Sequence, residues 1–375
     1  MESALVVYQV VVTLGLIFLL CHLMINLMVF RKPTGLVDSE SKVTVSILIP
    51  ARNEENRIPV CLESLREQTY PILEILVLDD NSQDRTVEMV NNAAAQNEKI
   101  HCLPGKALPE GWTGKAWACH QLSQVAKGDL LIFTDADTRH QRHSIAAAVE
   151  TFEERKADMI SFWPRQETKT FFETLVVPFV HVLLLLFLPH WMPGRWRSLG
   201  AANGQFLAFR RSAYDLIGGH EAVSGHVVED IALSRMVKSR GMRLVNADGS
   251  NIVTCRMYES FPQIWEGFSK NLRAGCDGSF FAFAFLQMAQ CIFLFLPFFW
   301  LIWSAFVRSE LLGLLLMQVG LIYTIRIVLG GTVGHSWLGV LLHPLGQALE
   351  LAIAFNSWRV YLSKKISWKG RVYNH

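Results

Sequence analysis

Two long stretches of this sequence contain no charge. No Asp, Glu, Lys or Arg occurs in Ser3–Phe30 or in Gly278–Val307. Each exceeds the roughly 18–20 apolar residues that cross a bilayer, so a chain without membrane segments is excluded. Leu311–Ile325 and Ile327–Leu349 are further charge-free candidates, interrupted by Arg326 and ended by Glu350. Nothing basic precedes the first run and no small-residue cleavage site follows it, which predicts a retained anchor rather than a secretion signal. Arg31 and Lys32 come next, and the positive-inside rule places the residues after them in the cytoplasm. Paired cysteines are also missing. The seven cysteines are scattered without CxxC spacing, which suggests neither a zinc site nor a disulfide framework and fits a reducing compartment. The formal net charge is only +2, too small to argue for nucleic acid as a partner. No Gly-x-Gly-x-x-Gly follows the first strand, so a dinucleotide-binding sheet is disfavoured. No internal repeat or low-complexity tract stands out.

What is present is an α/β pattern. The 375 residues hold one globular domain of about 200 residues beside the membrane segments. Val43–Ile49 is predicted as a strand ending at Pro50, followed by the polar loop Ala51–Glu55 and a helix to about Gln68. Leu73–Leu78 is a second strand, ending in Asp79-Asp80-Asn81-Ser82-Gln83-Asp84-Arg85-Thr86, with a helix over Thr86–Ala95. Ile100–Leu103 is a weaker strand, and a helix reaches about Ala126. Leu130–Phe133 is a buried strand that stops at Asp135 and Asp137. A helix near Ser144–Glu153 and a strand near Asp158–Trp163 follow. Strands alternating with helices predict a parallel, doubly wound sheet. Ligands of such sheets sit beyond the carboxyl ends of the strands. Asn53/Glu54, Asp79/Asp80 and Asp135/Asp137 all stand there. One acidic pair reads as a helix cap; three on one sheet edge read as a site. Paired carboxylates suit a hard divalent cation that shares its shell with phosphates.

Further along, Phe171–Met192 is apolar but broken by Glu173, Pro178, His181 and Pro189, and is predicted at the membrane interface. Gly204, inside a predicted strand over Asn203–Phe209, marks a close approach to a ligand or to neighbouring backbone. Glu229 and Asp230 open a helix to about Arg240, where acidic residues also favour the helix dipole. Phe261–Arg273 carries Ile264, Trp265, Phe268 and Leu272 at helical spacing, which fits either an interfacial helix or a buried surface helix. Arg326 and Glu350 either pair across two helices or mark helix ends.

These motifs, in this order, resemble the family 2 glycosyltransferases, the inverting nucleotide-sugar transferases of GT-A fold, over roughly Val43–Gly275. Pro50–Glu55 is similar to the family's first loop and Asp79–Thr86 to its nucleotide-binding loop. Thr134-Asp135-Ala136-Asp137 is similar to its DxD metal motif, and Glu229-Asp230 to its catalytic acidic pair. Gly111–Ala118 and Gly267–Asn271 most resemble membrane-bound members associated with carotenoids and hopanoids, including carotenoid-acid glycosyltransferases. Processive members carry Gln-x-x-Arg-Trp after the acidic pair. That motif is absent, its place taken by the Phe268–Arg273 region, which favours transfer of a single sugar.

The resemblance implies a GT-A doubly wound, mostly parallel sheet with N-terminal and C-terminal transmembrane helices. It implies that Pro50, Ala51, Asn53 and Glu54 line the base and ribose of a nucleotide-sugar, expected to be a UDP-sugar. Asp80, then Asp79, with Ser82 beside them, would receive the uracil ring N–H. Asp137 would hold Mg²⁺ or Mn²⁺, with Asp135 supporting the sugar or the metal. Lys115 would face the phosphates, although it reads equally well as a solvated lysine at a helix start. Lys270 and Arg273 would join it if their helix folds over the site. Asp230 would be the base, with Glu229 its neighbour or alternate. The expected acceptor is a lipid, such as a carotenoid acid, reached at the cytoplasmic face of a bacterial plasma membrane. Trp191, Trp196 and Trp265 suit that depth, or belong to a core. A processive polysaccharide synthase and an inactive nucleotide-sugar-binding scaffold are the competing readings. The expected organisation is an anchor over 1–32, a GT-A domain over 43–275, a transmembrane region over 278–362 and a basic tail over 363–375. Four crossings would leave that tail outside, against the positive-inside bias of Lys364, Lys365, Lys369 and Arg371.

Overall fold

The structure is a computed structural model that describes residues 2–35, 42–192, 196, 199–276, 279–307, 310–363, 365–368 and 371–374. Lys364, Lys369 and part of the linker after Pro33 lie outside the described residues. The chain divides into two compact units. One comprises Met1–Val29, Thr168–Trp191 and Tyr258–Lys365; the other comprises Phe30–Glu167, Met192–Met257 and Ile366–His375.

The apolar unit begins with α1 (Glu2–Val29). In the sheet unit come β1 (Val45–Ala51), α2 (Ile58–Arg66), β2 (Glu74–Asp79), α3 (Thr86–Ala94), β3 (Ile100–Pro104), α4 (Gly114–Val125), β4 (Leu130–Thr134), β5 (Thr138–His140), α5 (Ser144–Arg155) and β6 (Met159–Gln166). The chain then returns to the apolar unit for α6 (Phe171–Val176) and α7 (Phe179–Phe187). Next, in the sheet unit, are β7 (Phe206–Arg210), α8 (Arg211–Ile217), α9 (Glu229–Ser239) and β8 (Leu244–Cys255). The apolar unit is completed by α10 (Phe261–Ala274), α11 (Phe280–Gln290), α12 (Leu296–Val307), α13 (Leu312–Val333), α14 (Trp337–Leu341) and α15 (His343–Ser363). Strands β9 (Lys365–Trp368) and β10 (Arg371–Asn374) pair with each other.

Eight strands form one sheet in the order β3-β2-β1-β4-β7-β6-β8-β5. Strands β3, β2, β1 and β4 run parallel. β7 is antiparallel to β4 and β6, β8 is parallel to β6, and β5 is antiparallel to β8. The sheet is therefore mixed, parallel in the half that carries the Asp79–Thr86 loop and the Asp135/Asp137 pair. Successive strand residues face opposite sides. Ile47, Ile49, Val77 and Ile132 enter a core with α2 and α5. Leu48, Leu76, Leu131 and Phe133 enter a second core with α4, α8 and α9. Helices on both faces make the three-layer arrangement that the alternating pattern predicts.

Two strand details differ from expectation. Strand β1 continues through Pro50 to Ala51 instead of stopping at the proline. Its ladder with β4 ends at Leu48↔Phe133, while the ladder with β2 runs on to Ala51↔Asp79. The missing N–H of Pro50 thus falls where one flank is already unpaired. Strand β8 had no apolar signature, because Asn246, Asp248, Ser250 and Asn251 interrupt it.

In the apolar unit, three helices among the described residues have the length and composition to cross a membrane: Ser3–Val29, Phe280–Val307 and Leu312–Val333. The expected interruption at Arg326 is not found. Arg326 lies inside α13 at 1% exposure, its guanidinium 5.4 Å from the centre of the Phe179 ring. Ile327–Leu349 is not one span either, since the chain turns at Gly334 and starts α15 at His343. Arg326 and Glu350 take separate partners. Arg326 donates to the Gly339 carbonyl at 3.4 Å, and the Glu350 carboxylate accepts from Gln290 and Gln347. The Phe171–Met192 stretch forms α6 and α7, with Pro178 at the break. A Cβ on Gly339 would lie 2.4 Å from the Thr174 carbonyl, so only glycine lets α14 pack this close to α6. Helix α10 buries Ile264 and Phe268 against Leu175, Val176 and Ile353.

Candidate active site

The carboxyl ends of β1, β2 and β4 share one edge of the sheet, because these strands are parallel and in register. The loops after β1 and β2 are tied together. The Asp80 N–H donates to the Ala51 carbonyl at 2.8 Å, and the Asn53 N–H to Ser82 Oγ at 3.0 Å. The Gln83 N–H donates to Asn53 Oδ1 at 2.8 Å, and the Glu54 N–H to Thr86 Oγ1 at 2.8 Å. The Arg85 N–H donates to Glu55 Oε2 at 3.0 Å. Asp79 accepts from the Ser82 N–H, and Asp80 is buried at 2% exposure. Asn53 and Asn81 both hold positive φ, 53° and 55°, a conformation that asparagine tolerates better than most residues. Pro50, Ala51, Asn53, Glu54, Asp79, Asp80 and Ser82 are thus neighbours on one edge.

A second group gathers around Lys115, in the first turn of α4. Its Nζ lies 2.7 Å from Asp135 Oδ1 and 3.1 Å from Glu229 Oε1. Asp135 follows β4, and Glu229 opens α9. Asp230, beside Glu229, accepts the Gly204 N–H on Oδ2 at 2.7 Å and the Ile231 N–H on Oδ1 at 2.8 Å. Gly204, in the turn before β7, sits against all of them. A Cβ there would be 3.0 Å from Lys115 Nζ, 3.2 Å from Asp230 Oδ2 and 3.5 Å from Glu229 Oε1. The close approach predicted at Gly204 is to this charged group.

Burial sets the charges. Asp230 is pushed up to about 7, first by burial and then by the Glu229 carboxylate, with Lys115 acting the other way. Lys115 is also taken from water, but Asp135 and Glu229 outweigh that cost and raise it well above its ordinary value. Beneath them lies His220, packed against Phe133 and hydrogen-bonded to Tyr214 at 2.7 Å. Burial, then Lys115, lowers it to about 3, so it is a neutral support. Nothing in the Gly218-Gly219-His220 turn sequence marked that position.

Asp137 stands beside the Cys255 thiol, whose own ionisation is suppressed by burial and then by Asp137 and Asp135. Among the described residues, no three His, Cys, Asp or Glu side chains are grouped to hold a metal ion. The chain offers the two hard carboxylates, Asp135 and Asp137. That donor set fits Mg²⁺ or Mn²⁺, which bind through one or two carboxylates and complete their shell with water and substrate phosphates. Lys270 lies on α10, in the apolar unit. Arg273, assigned to the phosphates only if its helix folds over the site, is 2% exposed, with its guanidinium 4.5 Å from the ring centre of Tyr361 and 5.3 Å from that of Trp358.

The family described as Glycosyl transferase family 2 matches residues 46–217. The matched part of the chain is a family 2 glycosyltransferase domain. The matched segment of this glycosyltransferase carries both tied loops, Lys115, Asp135, Asp137 and Gly204, while Glu229 and Asp230 lie beyond it. The 4,4'-diaponeurosporenoate glycosyltransferase of Staphylococcus haemolyticus is 27% identical over 352 residues, covering 90% of each chain. The enzyme of the same name from Staphylococcus aureus is 28% identical over 349 residues, covering 88% of each. Among solved structures, a mannosyltransferase from Pyrobaculum calidifontis in complex with GDP-Man and Mn²⁺ superposes with a TM-score of 0.54 at 17% identity, over 94% of this chain and 99% of that one. That likeness confirms the GT-A fold.

Proposed function

We propose that this glycosyltransferase moves one sugar, with inversion, from a nucleotide-sugar to the carboxyl group of a carotenoid-like acid. The observation that carries the reading is the convergence of Asp135, Lys115, Glu229 and Asp230 around Gly204. The Staphylococcus relatives, named for a diapocarotenoid acid, support the acceptor class. The loops holding Asp79, Asp80, Asn53 and Ser82 are assigned to the base and ribose, with a UDP-sugar as the donor. Asp135 and Asp137 would hold the divalent cation, whose chemistry is to neutralise the diphosphate as it leaves.

Asp230 acts as the base. A carboxylic acid entering from lipid is held protonated by the same desolvation that raises Asp230. Donor and acceptor of the proton are therefore matched, the condition under which general base catalysis is most effective. The acid proton passes to Asp230. The freed carboxylate oxygen bonds to the anomeric carbon as the bond from that carbon to phosphate breaks, and the nucleoside diphosphate departs. Glu229, paired to Lys115, raises Asp230 and so strengthens it as a proton acceptor.

Three candidate spans support a topology in which α1, α11–α12 and α13 cross the membrane. With Arg31 and Lys32 on the cytoplasmic side, the basic C-terminal residues then fall on that side too. This removes the conflict that four crossings would create.

The test is incubation of membranes containing the protein with labelled nucleotide-sugars and 4,4'-diaponeurosporenoic acid, followed by mass analysis of extracted lipids. The expected product is the acid plus one hexosyl group in alkali-labile ester linkage. A sugar polymer, or a product linked through a hydroxyl group, would refute the reading.

A further inference from the structure

Among the described residues, Arg326 is the largest side chain that is fully buried. It shares the inner face of α13 with Ile322, Ile325 and Leu329. A guanidinium carries five N–H donors and keeps its charge in proteins. Here those donors meet one acceptor, the Gly339 carbonyl at 3.4 Å, farther than an ordinary N–H···O bond reaches. Nε and Nη1 are buried with no hydrogen-bond partner among the described residues. Nor does a described carboxylate pair with Arg326. Glu350 on α15 is held by Gln290 and Gln347 instead. The remaining contact is the face of the Phe179 ring.

The surroundings add polar nitrogens and no anion. The His343 ring stacks with Phe179 at 5.9 Å. Its Nδ1 and that of His335 are buried without a hydrogen-bond partner among the described residues. His335 Nε2 lies 3.3 Å from His181 Nδ1. The charge on Arg326 is felt at all three histidines. Every one of these residues belongs to the apolar unit, and none enters the group around Lys115.

Depth selects the ligand class. Helix α13 has 22 residues, about 33 Å, close to the roughly 30 Å hydrocarbon layer. Arg326 lies about two turns inside the Val333 end, roughly 10 Å into the span. A phosphodiester headgroup stays ionised and hydrated outside that layer. A long-chain carboxylic acid enters it in the neutral form, and an opposite charge beside it then favours the carboxylate. A guanidinium holds a carboxylate through two parallel N–H bonds, and charges kept inside a membrane mark substrate pathways. We propose that Arg326 receives the carboxylate of a lipid-soluble acid inside the apolar unit, docking the acceptor before transfer. This rests on the acceptor class and on the spanning assignment of α13 given above.

The full-length protein in detergent micelles, without nucleotide-sugar, is equilibrated with tritiated oleic acid, and bound label is counted after gel filtration. Saturable binding is expected, displaced by methyl oleate at least about tenfold less well than by oleic acid, the scale of a charge-assisted hydrogen bond. R326Q should bind the acid weaker by a similar factor, and R326K, which keeps the charge and loses the fork, should fall between. 4,4'-Diaponeurosporenoic acid should displace the label at lower concentration than oleic acid does. Equal displacement by acid and ester in the wild type, a comparison that needs no variant to fold, overturns the proposal. So does undiminished binding by R326Q. Displacement by phosphatidylglycerol as effective as by oleic acid would give the site to a headgroup, and a preference for oleic acid over the carotenoid acid would remove the docking role. Since no donor is present, a negative result leaves sugar transfer to the acid standing, and absence of transfer leaves this binding measurable.

Discussion

The backbone N–H of Gly204 donates to Asp230 Oδ2 at 2.7 Å, and a Cβ on Gly204 would lie only 3.2 Å from that oxygen. This contact fixes the direction of the carboxylate assigned as base. Gly204→Ala would push a methyl group against Lys115 Nζ and Asp230. The crowded atoms need give by only a few tenths of an ångström; a 1 Å displacement of reacting groups costs on the order of 10²-fold, so a loss of roughly tenfold is expected. Kinetics of Gly204→Ala should show kcat lowered by about that factor, with the donor KM nearly unchanged. A normal kcat would remove Gly204 and Asp230 from the reaction.

Removing the base should cost more. Asp230→Asn keeps the shape of the side chain but cannot take a proton. General base catalysis contributes about 10²–10⁴-fold, so turnover should fall within that range. Donor binding, read by calorimetry with the nucleoside diphosphate, should stay close to wild type. Turnover at the wild-type rate would show that Asp230 accepts no proton.

The same residue makes stability depend on pH. Asp230 has a folded pKa of about 7, against about 3.9 for an unfolded Asp. Below about pH 4 both states hold the proton and the group contributes nothing. As pH rises from about 4 to 7 the unfolded chain loses its proton first, so the folded state is progressively destabilised. Asp230→Asn should therefore gain in melting temperature over wild type as pH rises through that window, with no gain near pH 4. Comparing the two proteins cancels the opposite effect of buried His220 and His140. Each is lowered to about 3 by burial and loses stability as pH falls below the ordinary histidine range. A pH-independent difference in melting would contradict the raised pKa.

Lys115 should matter to folding as well as turnover. Lys115→Met leaves Glu229, at 5% exposure, buried without its cation. Breaking a buried pair from one side costs about 3 kcal/mol or more, and the 23% exposure of the Lys115 side chain puts this case at the low end. Denaturant unfolding should register the loss, and Lys115→Met/Glu229→Gln should recover part of it. No recovery in the double variant would mean that the pair does not carry the stability.

Chelation should abolish transfer, and Mg²⁺ or Mn²⁺ should restore it. Asp137→Asn should raise the metal concentration needed for half-maximal rate by tenfold or more, while Arg273→Lys, in the aromatic cage of the apolar unit, should leave that requirement unchanged. Full activity in chelator would remove the cation from the scheme.

Much of this architecture could be read from residue order. Leu130–Phe133 and Ile75–Leu78 are apolar runs followed closely by carboxylates, and both lie in parallel strands with those ends on one edge. Strand β8 could not be read, because its pairing partners bury it despite Asn246, Asp248 and Ser250. The Lys115 bridge was equally hidden. Asp135 and Glu229 are far apart in the chain, and only the packing of α4 and α9 over the sheet brings both to one ammonium. The setting of Arg273 was hidden for a related reason, since its aromatic neighbours Trp358 and Tyr361 come from a distant helix.

The hydrogen bonds that join the loop after β1 to the loop after β2 make them move as one body. A nucleotide bound there as proposed would meet a seat already shaped, with few torsions left to freeze on arrival. A change at Asn53 alters the surroundings of Ser82 and Gln83, so on the proposed assignment selectivity for a different nucleotide would have to be rebuilt in both loops together.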